Sequence, residues 1–179
     1  DGTAKVITTT TAPAGLTVDI AYNGGATPPV AVGSYTIVGT INDLNYQGAA
    51  EGMLVISAWT LAGFYQPVDM SPSAPGTILW NSVKGGSTVP LKFKVFAGSV
   101  ELKDISAVKS LNAISGACSG GMDVPIDELS ATGSTSLRYD TTGGQFILNW
   151  QTPKKAGICY MVTMTTQDGS SLSAYFRTK

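Results

Sequence analysis

Histidine is absent from the 179 residues. That removes the Ser-His-Asp triad, the imidazole general base and the imidazole metal ligand. What remains is sparse. Two cysteines, Cys118 and Cys159, are too few for a four-thiolate zinc site and too far apart for a Cys-x-x-Cys redox motif. Asp123, Asp127 and Glu128 gather in a segment that could serve as acid and base or hold Ca²⁺. The segment lacks the dense Asp/Asn/Gly spacing of an EF-hand loop and reads as a solvated loop face. Ser119-Gly120-Gly121 and Lys84-Gly85-Gly86-Ser87 lack the spacing of a phosphate loop and read as turns and strand ends. A Ser/Lys hydrolase needs its pair on a helix, and no helical pattern is present. These residues predict no catalytic site, no metal and no cofactor. Trp59, Trp80, Trp150 and the tyrosines could form a sugar-stacking platform, which leaves carbohydrate recognition open.

The elements that would hold these residues are strands. In Ser87–Phe96, Val89, Leu91, Phe93 and Val95 share one face, and Lys92 and Lys94 share the other. Pro90 removes a ladder donor, which predicts an edge position or a strand start. Lys92 and Lys94 read either as a partner-binding edge or as protection against unwanted pairing, the second being favoured. Strand periodicity recurs over Leu16–Tyr22, Ser34–Ile41, Met53–Ile56, Gln145–Gln151, Cys159–Gln167 and Ser170–Arg177, and less clearly over Ile105–Ile114 and Ser130–Tyr139. Trp150 is in phase with Phe146 and Leu148, which predicts a core position. Asn23-Gly24-Gly25 marks a turn, and Asp168-Gly169 between two strands predicts a type I′ hairpin.

Composition agrees. Glycine (21) and proline (9) suit short strands joined by tight turns, and 43% hydrophobic residues suffice for a packed core. The net charge is −1, and the scattered lysines give no basic patch of the kind nucleic acids require. No apolar run approaches the roughly 20 residues of a membrane-spanning helix. The opening residues Asp1-Gly2-Thr3-Ala4-Lys5 do not resemble a signal peptide, so the expectation is a chain processed or excerpted from a longer precursor.

Two resemblances sharpen the reading. Pro13-Ala14-Gly15-Leu16, Tyr22-Asn23-Gly24, Ala31-Val32-Gly33-Ser34-Tyr35, Asn45-Tyr46 and Leu54-Val55-Ile56 resemble the MBG repeat of bacterial surface proteins and adhesins. In that family an earlier strand would precede Asp1, so the resemblance implies a module entered after its first strand. Pro90, Lys92 and Phe93 resemble the Pro-x-Lys-Phe signature of the PxKF domain, an Ig-like module of secreted and surface-anchored bacterial proteins. The lead-in Gly63–Asp69 and the run Ser136–Lys179, with Cys159 after Ala156-Gly157, extend that resemblance, which implies that the Pro-rich stretch is an approach packed on the second module and not a free linker.

The expected architecture is all-β, two tandem Ig-like β-sandwich modules: 1–57, a Pro-rich junction over 58–76, and 77–179. Trp59 and Trp80 flank the junction and are the candidate interface between modules. The extracellular class and the family-like place of Cys159 imply a Cys118–Cys159 disulfide; a redox pair is the alternative. The implied function is a non-catalytic structural or adhesive module on a bacterial cell surface. The alternatives are a filament subunit assembled by donor-strand complementation and a carbohydrate-binding or accessory domain of a secreted enzyme. The implied partners are other domains of the same precursor, neighbouring copies of the chain, or surface glycans, with no nucleic acid and no transmembrane segment.

Overall fold

The computed structural model of the chain describes residues 3–71, 78–118 and 136–179 in full, and 122–126 in backbone. It is all-β; among the described residues the one helical element is a 3-10 turn, Ile105–Ala107. The chain divides into two compact units, Asp1–Ala58 and Trp59–Lys179.

The first unit holds one antiparallel sheet in the order β1 (Val18–Tyr22), β2 (Gly33–Ile41), β3 (Ala49–Ile56). The registers Tyr22↔Ile37 and Tyr35↔Leu54 place the alternating apolar residues on one face. Tyr22 and Ile37 are buried there, with Val18, Ile20, Ile41, Leu54 and Ile56 half-buried beside them. Residues 3–11 carry no assigned strand. They are tied down by hydrogen bonds from Lys5 N to the Pro29 carbonyl (3.0 Å) and from Ile7 N to the Tyr22 hydroxyl (3.0 Å).

The second unit is a two-sheet sandwich. One sheet runs β10 (Arg138–Asp140), β11 (Gln145–Gln151), β6 (Thr88–Ala97), β4 (Thr60–Gly63), with β7 (Val100–Leu102) also on β6. The other runs β5 (Trp80–Val83), β13 (Ser171–Thr178), β12 (Cys159–Thr166), β8 (Val108–Gly116), β9 (Met122–Ile126). Their inner faces meet in one core. Leu91, Phe93 and Val95 are fully buried, as are Val162, Met164 and Phe176 from the facing sheet. Trp150 packs edge-on against Phe176 at 5.0 Å and Tyr160 at 5.9 Å, which joins the two layers. Three buried threonines close loops around this core. The Thr152 hydroxyl donates to the Ser87 carbonyl (2.9 Å), that of Thr178 to the Lys155 carbonyl (2.7 Å) and that of Thr166 to the Asp168 carboxylate (2.6 Å).

Three expectations need correction. β6 is not an edge strand along its whole length, because β11 pairs with Thr88–Phe93 on one side and β4 with Phe93–Phe96 on the other. At Pro90, the third residue of the strand, only the β11 side is paired among the described residues, so the expected edge position or strand start holds there. Pro90 is tolerated for a local reason. The Lys92 carbonyl turns toward the β4 side, where it accepts from Tyr65 N (2.8 Å), and two residues earlier the Pro90 nitrogen points the same way, beyond the end of β4. Lys94 is not an edge guard either: it pairs with Glu101 of β7 at 3.5 Å. Finally, the Asp168-Gly169 turn is not type I′. Gly169 alone has positive φ (91°), and Gly169 N donates to the Thr166 carbonyl (3.0 Å), the pattern of a type I turn followed by a left-handed glycine. The type I′ geometry occurs instead at Asn23-Gly24, with φ of 48° and 83°.

Candidate interaction surface

The signature residues of the second unit serve its interior. Phe93 stacks on Phe146 at 5.3 Å and meets Phe64 edge-on at 5.9 Å. Lys92 projects from the opposite, outer face of the sheet, half-buried, while its carbonyl fastens Tyr65. The lead-in to this strand is therefore part of the sandwich: Phe64 and Val68 are buried in the core. Gly63 makes the close approach possible, since its φ is +119° and a Cβ there would meet the Lys92 carbonyl oxygen at 2.7 Å.

Cys118 and Cys159 form a disulfide with Cα atoms 5.1 Å apart. Cys159 opens β12, paired with Gly116 near the end of β8, so the bridge staples a strand start to the strand beside it. Asp127, Glu128 and Ser119-Gly120-Gly121 lie outside the described residues, as does the side chain of Asp123. Among the described residues no group of three His, Cys, Asp or Glu could hold a metal ion.

Trp59 and Trp80 both belong to the second unit. Trp59 is held by its backbone: its N–H donates to the Asp168 carboxylate (2.6 Å), and its carbonyl lies 3.2 Å from the oxygen of the Ser170 hydroxyl. The same carboxylate accepts from the hydroxyls of Thr166 (2.6 Å) and Ser170 (2.8 Å) and from Ser170 N (3.2 Å). Burial by itself would raise the Asp168 pKa. The bonds from Thr166, Trp59 and Ser170 favour the anion more strongly, and the net direction is down. Sequence reasoning found Asp168 only as a turn residue. Its tie to Trp59 spans 109 residues, and no local pattern carries it.

Trp80 rests edge-on against Tyr175 at 5.7 Å and borders an open hollow of about 440 Å³ with Pro67, Asp69, Asn81, Lys84 and Pro90. Much of the polar capacity of that wall is spent internally. Asn81 donates to the carbonyls of Asp69 (2.8 Å) and Tyr175 (3.0 Å) and accepts from Asp69 N (2.8 Å). Gln66 donates to the Asp69 carboxylate (2.6 Å). The hollow thus offers an aromatic rim over a wall whose Asn81 and Asp69 are bonded to each other.

The first unit offers a different surface. A shallow hollow of about 240 Å³ lies between Thr9–Ala12 and the sheet, floored by Val18, Gly39 and Ile41. On the other side of the sheet Met53 and Val55 are 73% and 59% exposed.

These features define an all-β protein of two units, one an open sheet and the other a disulfide-linked sandwich. Residues 1–60 match the family model of the MBG domain. No curated protein matches the chain. Among solved structures it is similar to the SGBP-B protein of the Bacteroides ovatus mixed-linkage glucan utilization locus, solved in complex with a mixed-linkage heptasaccharide. The identity is 13%, the match covers 91% of this chain and 37% of that one, and the TM-score is 0.25. The chain thus spans well under half of that protein, and a likeness at this TM-score carries no argument about function. No helix among the described residues is long and apolar enough to cross a membrane.

Proposed function

We propose that this chain is a non-catalytic structural or adhesive part of a bacterial extracellular or cell-surface protein, with an MBG-type unit followed by a PxKF-type Ig-like sandwich. The match of residues 1–60 to the MBG domain carries the reading. The disulfide supports it, because such bonds persist in oxidising compartments. Trp59 and Trp80, proposed from sequence as an interface between modules, keep that role as a proposal. Labelling intact producing cells with an antibody against the chain tests the location. Surface labelling removed by external protease is the expected result; labelling only after cell lysis contradicts it.

A second reading, glycan recognition by the sandwich, is favoured by the half-buried Trp80 on the rim of the hollow. Binding on a glycan array that is lost in Trp80→Ala supports it. A wild-type array without signal refutes it and leaves the structural reading intact. The filament reading rests on the open edge of the first unit's sheet. Fibres in electron micrographs of the purified chain would support it.

A further inference from the structure

β3 differs from every other sheet edge among the described residues. β4, β5, β7 and β10 are three or four residues long, β9 contains Pro125, and β1 ends in the turn that bonds Tyr22 to Gly25. Short edges and prolines are the usual means of blocking unwanted strand pairing. β3 runs eight residues, Ala49–Ile56, with no proline, no lysine and one charge, Glu51. Among the described residues it pairs with β2 alone.

The direction of its free backbone groups follows from two bonds. Ile41 N donates to the Gly48 carbonyl (2.8 Å), so the odd-numbered residues of β2 face β3. Thr36, an even-numbered residue, bonds Asn23 on the β1 side instead. With the register Ile37↔Gly52, it is Ala50, Gly52 and Leu54 that bond β2. Ala49, Glu51, Met53 and Val55 turn both N–H and C=O outward. Their side chains share the face opposite the apolar one, and all four are exposed.

We propose that this edge is a self-association site: a second copy of the chain adds its own β3 antiparallel, and the two three-stranded sheets become one. The strand is self-complementary. Directly opposite residues in an antiparallel pair share a face, and outward residues must meet outward residues. Two central registers satisfy both conditions. One sets Glu51 opposite Met53 of the second copy and Ala49 opposite Val55. The other sets Met53 opposite Met53 and Glu51 opposite Val55. Neither places the strand's one charge opposite its like. Such a contact is isologous and closes at two copies, which separates it from an open-ended filament. A contact confined to one strand edge is small, so the association is weak, micromolar or weaker.

The test is sedimentation equilibrium of the full chain over a wide concentration range, beside Met53→Pro and Met53→Lys. The Met53 N–H points away from β2, so proline there removes an outward donor and no bond within the sheet; lysine adds a charge at the contact. The average mass of the wild type should rise with concentration and stop at twice the chain mass. Each variant should weaken association about tenfold or more, with thermal unfolding unchanged. Should the proline variant fail to fold, the lysine variant decides. A wild type that stays monomeric overturns the proposal. So do well-folded variants that associate as the wild type does, and a mass that grows past two copies.

Discussion

In the first unit Tyr22 and Ile37 are the buried apolar side chains among the described residues, whereas in the second a continuous core runs from Phe64 to Phe176 through both sheets. The difference follows from architecture. A single sheet buries one face against whatever lies across it, here residues 3–12 and the loop before β2. Two facing sheets bury both inner faces against each other. Size reinforces the contrast, since domains of about 60 residues bury a smaller share of their surface than larger ones. The second unit adds a covalent staple and three buried threonine clamps. Stability should therefore be concentrated after Trp59, and openness to partners before it.

All three tryptophans, Trp59, Trp80 and Trp150, lie in the second unit, so tryptophan fluorescence reports its unfolding and near-complete far-ultraviolet loss reports both. The largest expected effect is Trp150→Ala. It removes the ring that bridges the layers and should cost the second unit about 5 kcal/mol in denaturant titration. Replacing both Cys118 and Cys159 by serine should cost about 4 kcal/mol by the chain-entropy model. The bridge closes a separation of 41 residues wholly within the second unit, so the first unit's transition should not move. Ile37→Ala should cost about 2–3 kcal/mol, in the first unit alone. If it lowers the tryptophan-monitored transition instead, the two units do not unfold separately.

Asp168→Ala comes next, at about 1–2 kcal/mol, held toward the low end by solvent screening of a partly exposed carboxylate. Its pH dependence has a definite sign. The folded-state pKa lies below the ordinary aspartate value of 3.8. The stabilisation is therefore complete above that value and is lost as pH falls through the lowered one. Acid titration should narrow the stability gap between wild type and Asp168→Asn. A gap that widens in acid would show that the carboxylate is not held as an anion by Trp59, Thr166 and Ser170.

Much of this contrast is legible in the sequence where one strand sees one core. Val89, Leu91, Phe93 and Val95 alternate in the sequence and are all buried in the fold, and the limits of Gln145–Gln151 are those of β11. The MBG resemblance also fell on the residues that match that family. What periodicity cannot encode is the neighbour of a strand. β6 looked like an edge because Pro90 is visible in sequence and β4 is not: Thr60–Gly63 is four residues without alternation, inside a stretch read as a junction. β5 escaped notice for the same reason, since its parallel pairing with β13 joins residues far apart in the chain. Ile147 is buried although it is out of phase with Phe146 and Leu148, on the outer face of the sheet where Lys92 and Arg138 stand opposite it in register. The type I′ turn fell at Asn23-Gly24 rather than Asp168-Gly169 because three residues, not two, separate Thr166 from Ser170 in the later loop.

Native-state hydrogen exchange of the full chain, read residue by residue, tests the central claim most directly. Amides of β6, β11, β12 and β13 should exchange only through global unfolding of the second unit. Those of the first unit should exchange through a smaller opening, with the outward amides of Ala49, Glu51, Met53 and Val55 the fastest in its sheet at dilute concentration and slower as concentration rises. Equal protection of the two units, or outward β3 amides as protected in dilute solution as those bonded to β2, would contradict the account.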